Sequence, residues 1–196
     1  MHGTMTVNPT DLRQLRHDES VRVPGWVIGV LALLLGLTAG AMTGVAVRNM
    51  VGDDPLITGS EAAVFYITFA VAVLLDLFVL LNFTSLSVSV SDRGFEFRYG
   101  LFGKSFRWEQ LESAEQKEYR WVSYGGWGIR FSTQGRRAWS QLGAKDGVVV
   151  KVDEGGKARE YFVSSRKAQD LAAVLQQGIA EHGRHAAAIQ ADPGTA

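Results

Sequence analysis

The sequence predicts a membrane protein in which a two-helix transmembrane hairpin is followed by about seven short β-strands and a C-terminal helix. Three observations predict this order. Two long segments with almost no charge lie in the first 83 residues, alternation of apolar and polar residues begins near residue 84, and an apolar pattern of helical period follows residue 165. These periodicities distinguish membrane spans, half-buried strands and an amphipathic helix.

The composition excludes several classes of function. The chain has no cysteine, which excludes disulfides, thiolate metal sites, iron–sulfur clusters and a cysteine nucleophile. Its 20 basic residues are balanced by 20 acidic residues, whereas a nucleic-acid-binding protein usually has a basic excess. We therefore expect no nucleic acid among the partners.

The N-terminal tail, residues 1–22, is charged and precedes the first predicted span, residues 23–48. The 25 residues between Arg22 and Arg48 carry no charge, and 17 of them are apolar. At about 1.5 Å per residue, a helix of this length crosses a hydrocarbon core of roughly 30 Å. A cleaved signal peptide would have a shorter apolar region of about 7 to 15 residues, so we expect the segment to be retained as an anchor.

The second predicted span, residues 62–83, follows a short external loop at residues 49–61. Of its 22 residues, 19 are apolar. Two core helices of a soluble bundle are the alternative, but such helices show a polar stripe at the helical period, and neither segment does. Basic residues lie mainly before the first span and after the second. This bias predicts that the N-terminus and the C-terminal domain are cytoplasmic, at the plasma membrane.

Four residues within the spans are candidates for helix packing. Gly36, Gly40 and Gly44 recur at intervals of four, which puts them on one helix face. Small residues at this spacing allow a second helix to approach closely in lipid. That helix is either the chain's own second span or the helix of a partner. Asp76 is the fourth candidate, because a carboxylate within a span is costly and is either protonated or paired with a group on another chain.

Strands are predicted from Thr84 onward. The segments Leu86–Val90 and Phe95–Tyr99 alternate strictly between apolar and polar residues, and the turn sequence Asp92–Gly94 separates them. Further short runs, separated by glycine-rich breaks, extend to Val163. This pattern predicts a sheet that begins with an antiparallel hairpin.

The chain ends in a predicted helix and a tail. Ser165 is placed to cap a helix whose apolar residues recur at the helical period. We expect this helix to complete a domain of residues 84–180 that folds on its own. Because Gly183 is expected to end the helix, residues 181–196 are predicted to be a disordered tail.

Five short sequences in this half resemble those of the pleckstrin-homology-like (PH-like) domains of bacterial and archaeal membrane proteins: Val90–Gly94, Arg98–Gly103, Tyr124–Arg130, Gly147–Lys151 and Ser165–Ala168. The resemblance covers roughly residues 84 to 178 and includes the position of the domain directly after two membrane spans. It implies a curved antiparallel sheet or barrel of about seven strands, closed at one end by the C-terminal helix. It also implies a binding or scaffolding fold with no reaction attached.

Aromatic and basic residues are interleaved in the middle of the domain. Of these, Trp127, Arg130, Arg136 and Arg137 form the predicted interaction surface, because Trp and Arg dominate interface hot spots. The alternative is that the tryptophans fill the core while the arginines surround it. Residues 84–177 contain 15 Lys and Arg against 11 Asp and Glu, an excess that allows a weak contact with anionic lipid.

No catalytic, cofactor-binding or metal-binding set is predicted, since all four histidines lie in the terminal segments and the glycines around Trp127 lack the Lys-Ser/Thr pair of a phosphate loop. We expect a non-enzymatic, membrane-anchored scaffold or protein-interaction module without a cofactor. Its expected partners are the lipid bilayer and a protein or membrane complex, and no small-molecule substrate is evident. The alternative is an accessory or assembly subunit of a larger membrane complex, bound through the transmembrane hairpin.

Overall fold

The computed structural model describes residues 17–52, 56–120, 124, 126–132 and 135–191, with side chains up to residue 185. Within this part of the chain, nine strands and three long helices follow one another. The chain forms two compact units. The helical hairpin comprises Val23–Thr84, and the sheet domain comprises the residues up to Arg22 together with those from Ser85 onward.

Two apolar helices form the hairpin. Helix α1 spans Gly25–Val51 and helix α2 spans Gly59–Phe83. Both are long and apolar enough to cross a membrane, by length and composition. Leucines of both helices have exposed side chains, as expected of a surface that faces lipid. The N–H of Val23 donates to the carbonyl oxygen of Thr84 at 3.0 Å, so the two open ends of the hairpin lie side by side.

The first sheet has four antiparallel strands in the order β1-β2-β3-β4. Their bounds are His17–Arg22, Ser85–Ser91, Gly94–Tyr99 and Phe102–Phe106. The strict alternation in β2 and β3 predicts one buried face, and the structure buries the apolar residues of both strands on that face. The hairpin predicted around the turn at Asp92 is present, with Val90 opposite Phe95.

Strand β1 differs from the predicted N-terminal tail, because residues 17–22 belong to the sheet domain. His17 pairs with Val90 and Arg22 pairs with Ser85, so the strand runs the length of β2. Val21 is only 1% exposed. Burial of this side chain and the ladder hydrogen bonds explain why the strand pairs. The domain is therefore assembled from both sides of the helical hairpin and is larger than residues 84–180.

The second sheet has five strands in the order β5-β8-β9-β7-β6. Their bounds are Leu111–Glu118, Gly128–Phe131, Arg136–Ser140, Asp146–Asp153 and Ala158–Ser164, numbered β5 to β9. Strand β7 pairs with one side of β9 in parallel, and β8, which lies between them in sequence, pairs with the other side of β9 in the antiparallel direction. The sheet is therefore mixed and not purely antiparallel as expected. Neither sheet closes on itself among the described strands, so the expected barrel is not present as a closed structure.

Aromatic side chains from both sheets form the core of the domain. The ring of Phe97 on β3 lies 5.0 Å from that of Trp139 on β7 and 5.9 Å from that of Tyr161 on β9. Phe106 on β4 lies 4.9 Å from Tyr161. The sheets therefore pack face to face through large rings, which bury much apolar area per residue.

Helix α3, Ala168–Ala191, follows the last strand as predicted. Its buried residues include Leu171 and Leu175, and the Gln176 amide donates to the carbonyl oxygen of Ala114 on β5 at 2.8 Å. The helix continues through Gly183, so residues 181–191 are not the predicted disordered tail. Three consecutive alanines at 186–188 favour a helix and offset the glycine. Residues 192–196 lie outside the described part of the chain.

Candidate interaction surfaces

The hairpin of β6 and β7 lies at one edge of the second sheet and presents two exposed aromatic side chains. Phe131 is 68% exposed and Trp127 is 47% exposed. The hairpin lies within residues 119–145, a stretch that contains five basic residues and no acidic residue. Large exposed rings beside positive charge are typical of binding surfaces. We name Trp127, Arg130, Phe131 and Arg136 the basic-aromatic surface. In the strand register Phe131 lies on one face of the sheet and Arg130 and Arg136 lie on the other, so this surface includes both faces of the sheet edge.

The two arginines of this surface are exposed and loosely held. The Nε of Arg130 donates to the carbonyl oxygen of Trp127 at 3.0 Å, which connects Arg130 to the residue just before β6. The Nε of Arg136 lies 3.7 Å from a carboxylate oxygen of Glu160. Ion pairs with this exposure contribute little to stability. Both guanidinium groups therefore have N–H donors to offer to a partner.

Arg137 was expected in the interaction surface, but the structure holds it in a polar network inside the domain. Its Nη1 donates to the hydroxyl oxygen of Tyr161 at 2.6 Å and lies 3.3 Å from a carboxylate oxygen of Glu154. Lys104 contacts the other oxygen of Glu154 at 3.1 Å. The guanidinium carbon also lies 5.8 Å from the ring centroid of Phe131. Arg137 therefore contacts Phe131 on the same face of the second sheet, and Glu154 links it to Lys104 on β4 of the first sheet.

The electrostatics of this network favour the ionised carboxylate. Burial alone would raise the pKa of Glu154, but hydrogen bonds from Tyr161 and Lys104 and the charges of Lys104 and Arg137 lower the pKa below its ordinary value. Burial and the hydrogen bond to Glu154 raise the pKa of Tyr161, so its hydroxyl stays protonated as a donor. The network therefore holds Glu154 as an ionised acceptor and Tyr161 as a protonated donor.

A second aromatic cluster covers the opposite face of the same sheet. The rings of Tyr119 and Tyr124 stack 5.5 Å apart, and that of Phe162 lies 4.9 Å from Tyr119. Tyr119 donates a hydrogen bond to the carbonyl oxygen of Gly126. Burial, with the charge of Glu160 next in size, raises the pKa of Tyr124 to about 12. These contacts support the β6–β7 hairpin on this face of the sheet.

The structure describes two of the three tryptophans in this block, and the core alternative holds for one of them. Trp139 is 3% exposed and packs in the core, whereas Trp127 is half exposed on the basic-aromatic surface. Trp121 lies outside the described residues. The described residues also contain no group of three or more acidic or histidine side chains that could hold a metal ion.

Comparison of the chain with protein-family models, curated proteins and solved structures gave no match. The resemblance to PH-like domains therefore rests on the short sequences that suggested it.

The glycine face of α1 points away from α2. A Cβ atom added to Gly36, Gly40 or Gly44 would meet no other atom within 4 Å. The half-buried residues of α1 lie instead at Leu31, Leu35, Ala39 and Met42. This second face lies roughly 140° around the helix from the glycines. The chain's own second span therefore does not pack against these glycines.

Asp76 has an exposed side chain on α2. Among the described residues, no basic side chain lies within ion-pair distance of its carboxylate. The structure therefore brings Asp76 together with neither the glycine face nor a counter-ion. An acid at such a depth in a span is costly unless another group meets it.

Sequence patterns did not identify several residues that shape these surfaces. Phe131 lies in a strand of only four residues, too short for a clear alternation. The one available signal was the absence of acidic residues over positions 119–145. Glu154 and Tyr161 are far from Arg137 in sequence, so only the fold brings them together.

Proposed function

We propose that the protein is a non-enzymatic, membrane-anchored interaction module that binds another protein through its sheet domain. The observation that carries this proposal is the basic-aromatic surface. Phe131 and Trp127 keep large apolar rings in solvent, and Arg130 and Arg136 are exposed at the same edge of the sheet, on the face opposite to Phe131. Desolvation of such rings at an edge that also carries positive charge favours a partner with an acidic, partly apolar patch.

The edge of the sheet adds a second mode of recognition. Strand β6 ends the strand order of the second sheet among the described residues. An extended segment of a partner can pair with such an edge through main-chain hydrogen bonds while its side chains contact the surface. We propose that the partner presents an extended acidic segment here.

Copurification from mild detergent tests this function. The full chain is compared with a double variant, Trp127→Ala and Phe131→Ala, at matched expression. A matched control replaces Arg93 and Lys157, both exposed and both outside the surface, with alanine. We expect the double variant to lose a specific copurifying protein that the control retains. Equal recovery of the same proteins by all three would reject the surface.

For location, we propose the plasma membrane, with the N-terminus and the sheet domain cytoplasmic. The pairing of β1 with β2 supports placing both ends on one side, since β1 precedes the hairpin and β2 follows it. Because the chain has no cysteine, single cysteines can be introduced at the exposed positions Ser60 and Lys157. Position 60 should react with an impermeant maleimide in intact cells, and position 157 only after lysis.

We also propose that the sheet domain has a PH-like fold. Two facing sheets followed by a helix support it, together with the short sequences that resemble this family. An experimental structure of the domain tests it: a curved sheet closed by α3 would agree, and two flat, independent sheets would not.

A second candidate function is an accessory or assembly subunit of a larger membrane complex, bound through the helical hairpin. The orientation of the glycine face favours it, since Gly36, Gly40 and Gly44 are turned away from α2. If the full chain copurifies with a complex and the Trp127, Phe131 variant does so equally, the hairpin is the binding element.

A further inference from the structure

The turn between β3 and β4 carries an apolar tip. Leu101 is 82% exposed and Phe102 is 41% exposed. Tight turns normally contain Gly, Asn, Asp, Pro or Ser, so a leucine at such a position is unusual. The two-residue turn is made possible by Gly100, whose φ of 46° lies in the left-handed region that glycine adopts without strain.

Strand register places this tip at one particular end of the first sheet. One row of paired residues crosses all four strands and consists of Val21, Leu86, Tyr99 and Phe102. Arg22, Ser85 and the turn at Leu101 therefore lie just beyond that row, at the same end. The turn at Arg93 lies at the opposite end, roughly 20 Å from the row at about 3.3 Å per residue.

The chain enters and leaves the helical hairpin at the same end. Only Val23 and Pro24 separate Arg22 from the first residue of α1, and only Thr84 separates α2 from Ser85. Adjacent strands lie about 4.8 Å apart, so β4 is roughly 10 Å from β2 and roughly 15 Å from β1 within the sheet. The turn that carries the apolar tip therefore lies at the end of the sheet from which the chain continues into both helices. This placement follows from connectivity and register alone.

We propose that Leu101 and Phe102 insert into the lipid interface and form a third membrane contact of the protein. An exposed leucine and a phenylalanine bury apolar area when they enter the headgroup and acyl boundary. Arg98 flanks the tip at an exposed position, where its surface ion pair with Glu96 leaves N–H donors that can reach headgroup phosphates. The contact fixes the first sheet on the bilayer and so orients the domain.

Site-directed spin labelling of the full chain in vesicles tests the proposal. The native chain has no cysteine, so Leu101→Cys and the control Arg93→Cys each give one labelled site. In phosphatidylcholine vesicles, the label at 101 should be more accessible to oxygen and less accessible to a water-soluble nickel chelate than the label at 93. The same contrast should persist when phosphatidylglycerol is added.

Three outcomes would overturn the proposal. Equal water accessibility at 101 and 93 would place the tip in solvent. Shielding of position 101 from both oxygen and nickel would mean that protein covers it. A contrast that depends on phosphatidylglycerol would mean that charge, and not the apolar tip, holds the domain.

A second measurement avoids a label at the tip. Amide hydrogen exchange of the peptide containing residues 99–103 is compared between the full chain and the variants Leu101→Asp and Leu101→Met in phosphatidylcholine vesicles. We expect faster exchange in the aspartate variant and unchanged exchange in the methionine variant, with no change at the Arg93 turn. Unchanged exchange in the aspartate variant would contradict the proposal.

Discussion

Strand β1 makes a prediction about what the sheet domain needs in order to fold. Arg22 and Ser85 are neighbours in an antiparallel pair. A two-residue Asn-Gly turn can therefore replace residues 23–84 and join β1 to β2 as an ordinary hairpin. We compare this turn-linked domain with a fragment that begins at Ser85 and lacks β1. The turn-linked domain should unfold cooperatively, and the fragment should not.

The contacts of β1 set the magnitude of this effect. Burial of Val21, 1% exposed, contributes about 1.5 to 3 kcal/mol. The carboxylate of Glu19 accepts hydrogen bonds from the Ser165 hydroxyl and from the Arg166 N–H, the latter at 2.8 Å, just before α3. Hydrogen bonds to a charged group contribute about 1.5 to 3 kcal/mol each. The total of about 4.5 to 9 kcal/mol is comparable with the whole stability of a typical domain, about 5 to 15 kcal/mol.

Urea unfolding followed by circular dichroism measures this difference, and point variants refine it. In the turn-linked domain, Val21→Ala should cost about 2 kcal/mol, from two lost methyl groups and a small cavity. Asp18→Ala, at an exposed position of the same strand, should cost less than about 0.5 kcal/mol. The reasoning is refuted if the fragment without β1 has the same transition midpoint as the turn-linked domain.

Three further predictions concern single side chains. Glu154→Gln should destabilise the turn-linked domain by about 1 to 2 kcal/mol at neutral pH. Because folding lowers the pKa of Glu154, the stabilisation by its carboxylate is present above the ordinary pKa of 4.5 and is lost as the pH falls through the lowered pKa. Urea unfolding should therefore show that the stabilities of the two proteins converge in acid. Gly178→Ala should destabilise the domain by more than about 1 kcal/mol, because the added Cβ would lie 2.2 Å from the Trp108 ring. In the same assay, Gly183→Ala should stabilise the helix by about 0.5 to 1 kcal/mol, because its Cβ would meet no atom within 4 Å. If the hairpin binds a partner helix, Gly40→Ile should reduce copurification of that partner and Leu34→Ile should not; equal recovery would leave the glycines without a role in association.

Local patterns in the sequence predicted most elements of the fold. The two apolar segments became α1 and α2, and the alternation in Leu86–Val90 and Phe95–Tyr99 became β2 and β3. The spans were recognised by their length and lack of charge, whereas periodicity identified the strands and α3 because each of them buries one face against its neighbours. The end of α3 was placed too early because Gly183 was weighed more heavily than the alanines that follow it.

Long-range pairing was not predictable in the same way. Strand β1 is polar except for Val21, and its partner β2 is more than 60 residues away in sequence, beyond both helices. A short polar strand at a sheet edge resembles a loop until its partner is known. The same reason explains Arg137, which looked like a surface residue until the fold brought Glu154 and Tyr161 to it.

Photo-crosslinking in intact cells tests the proposed function most directly. A benzophenone amino acid replaces Phe131 in the full chain, and a control carries it at the exposed position Lys157. Binding through the basic-aromatic surface predicts a single adduct of defined mass at position 131, absent at position 157 and lost when Arg130→Glu is added. No adduct at position 131, or the same adducts at both positions, would contradict binding through this surface.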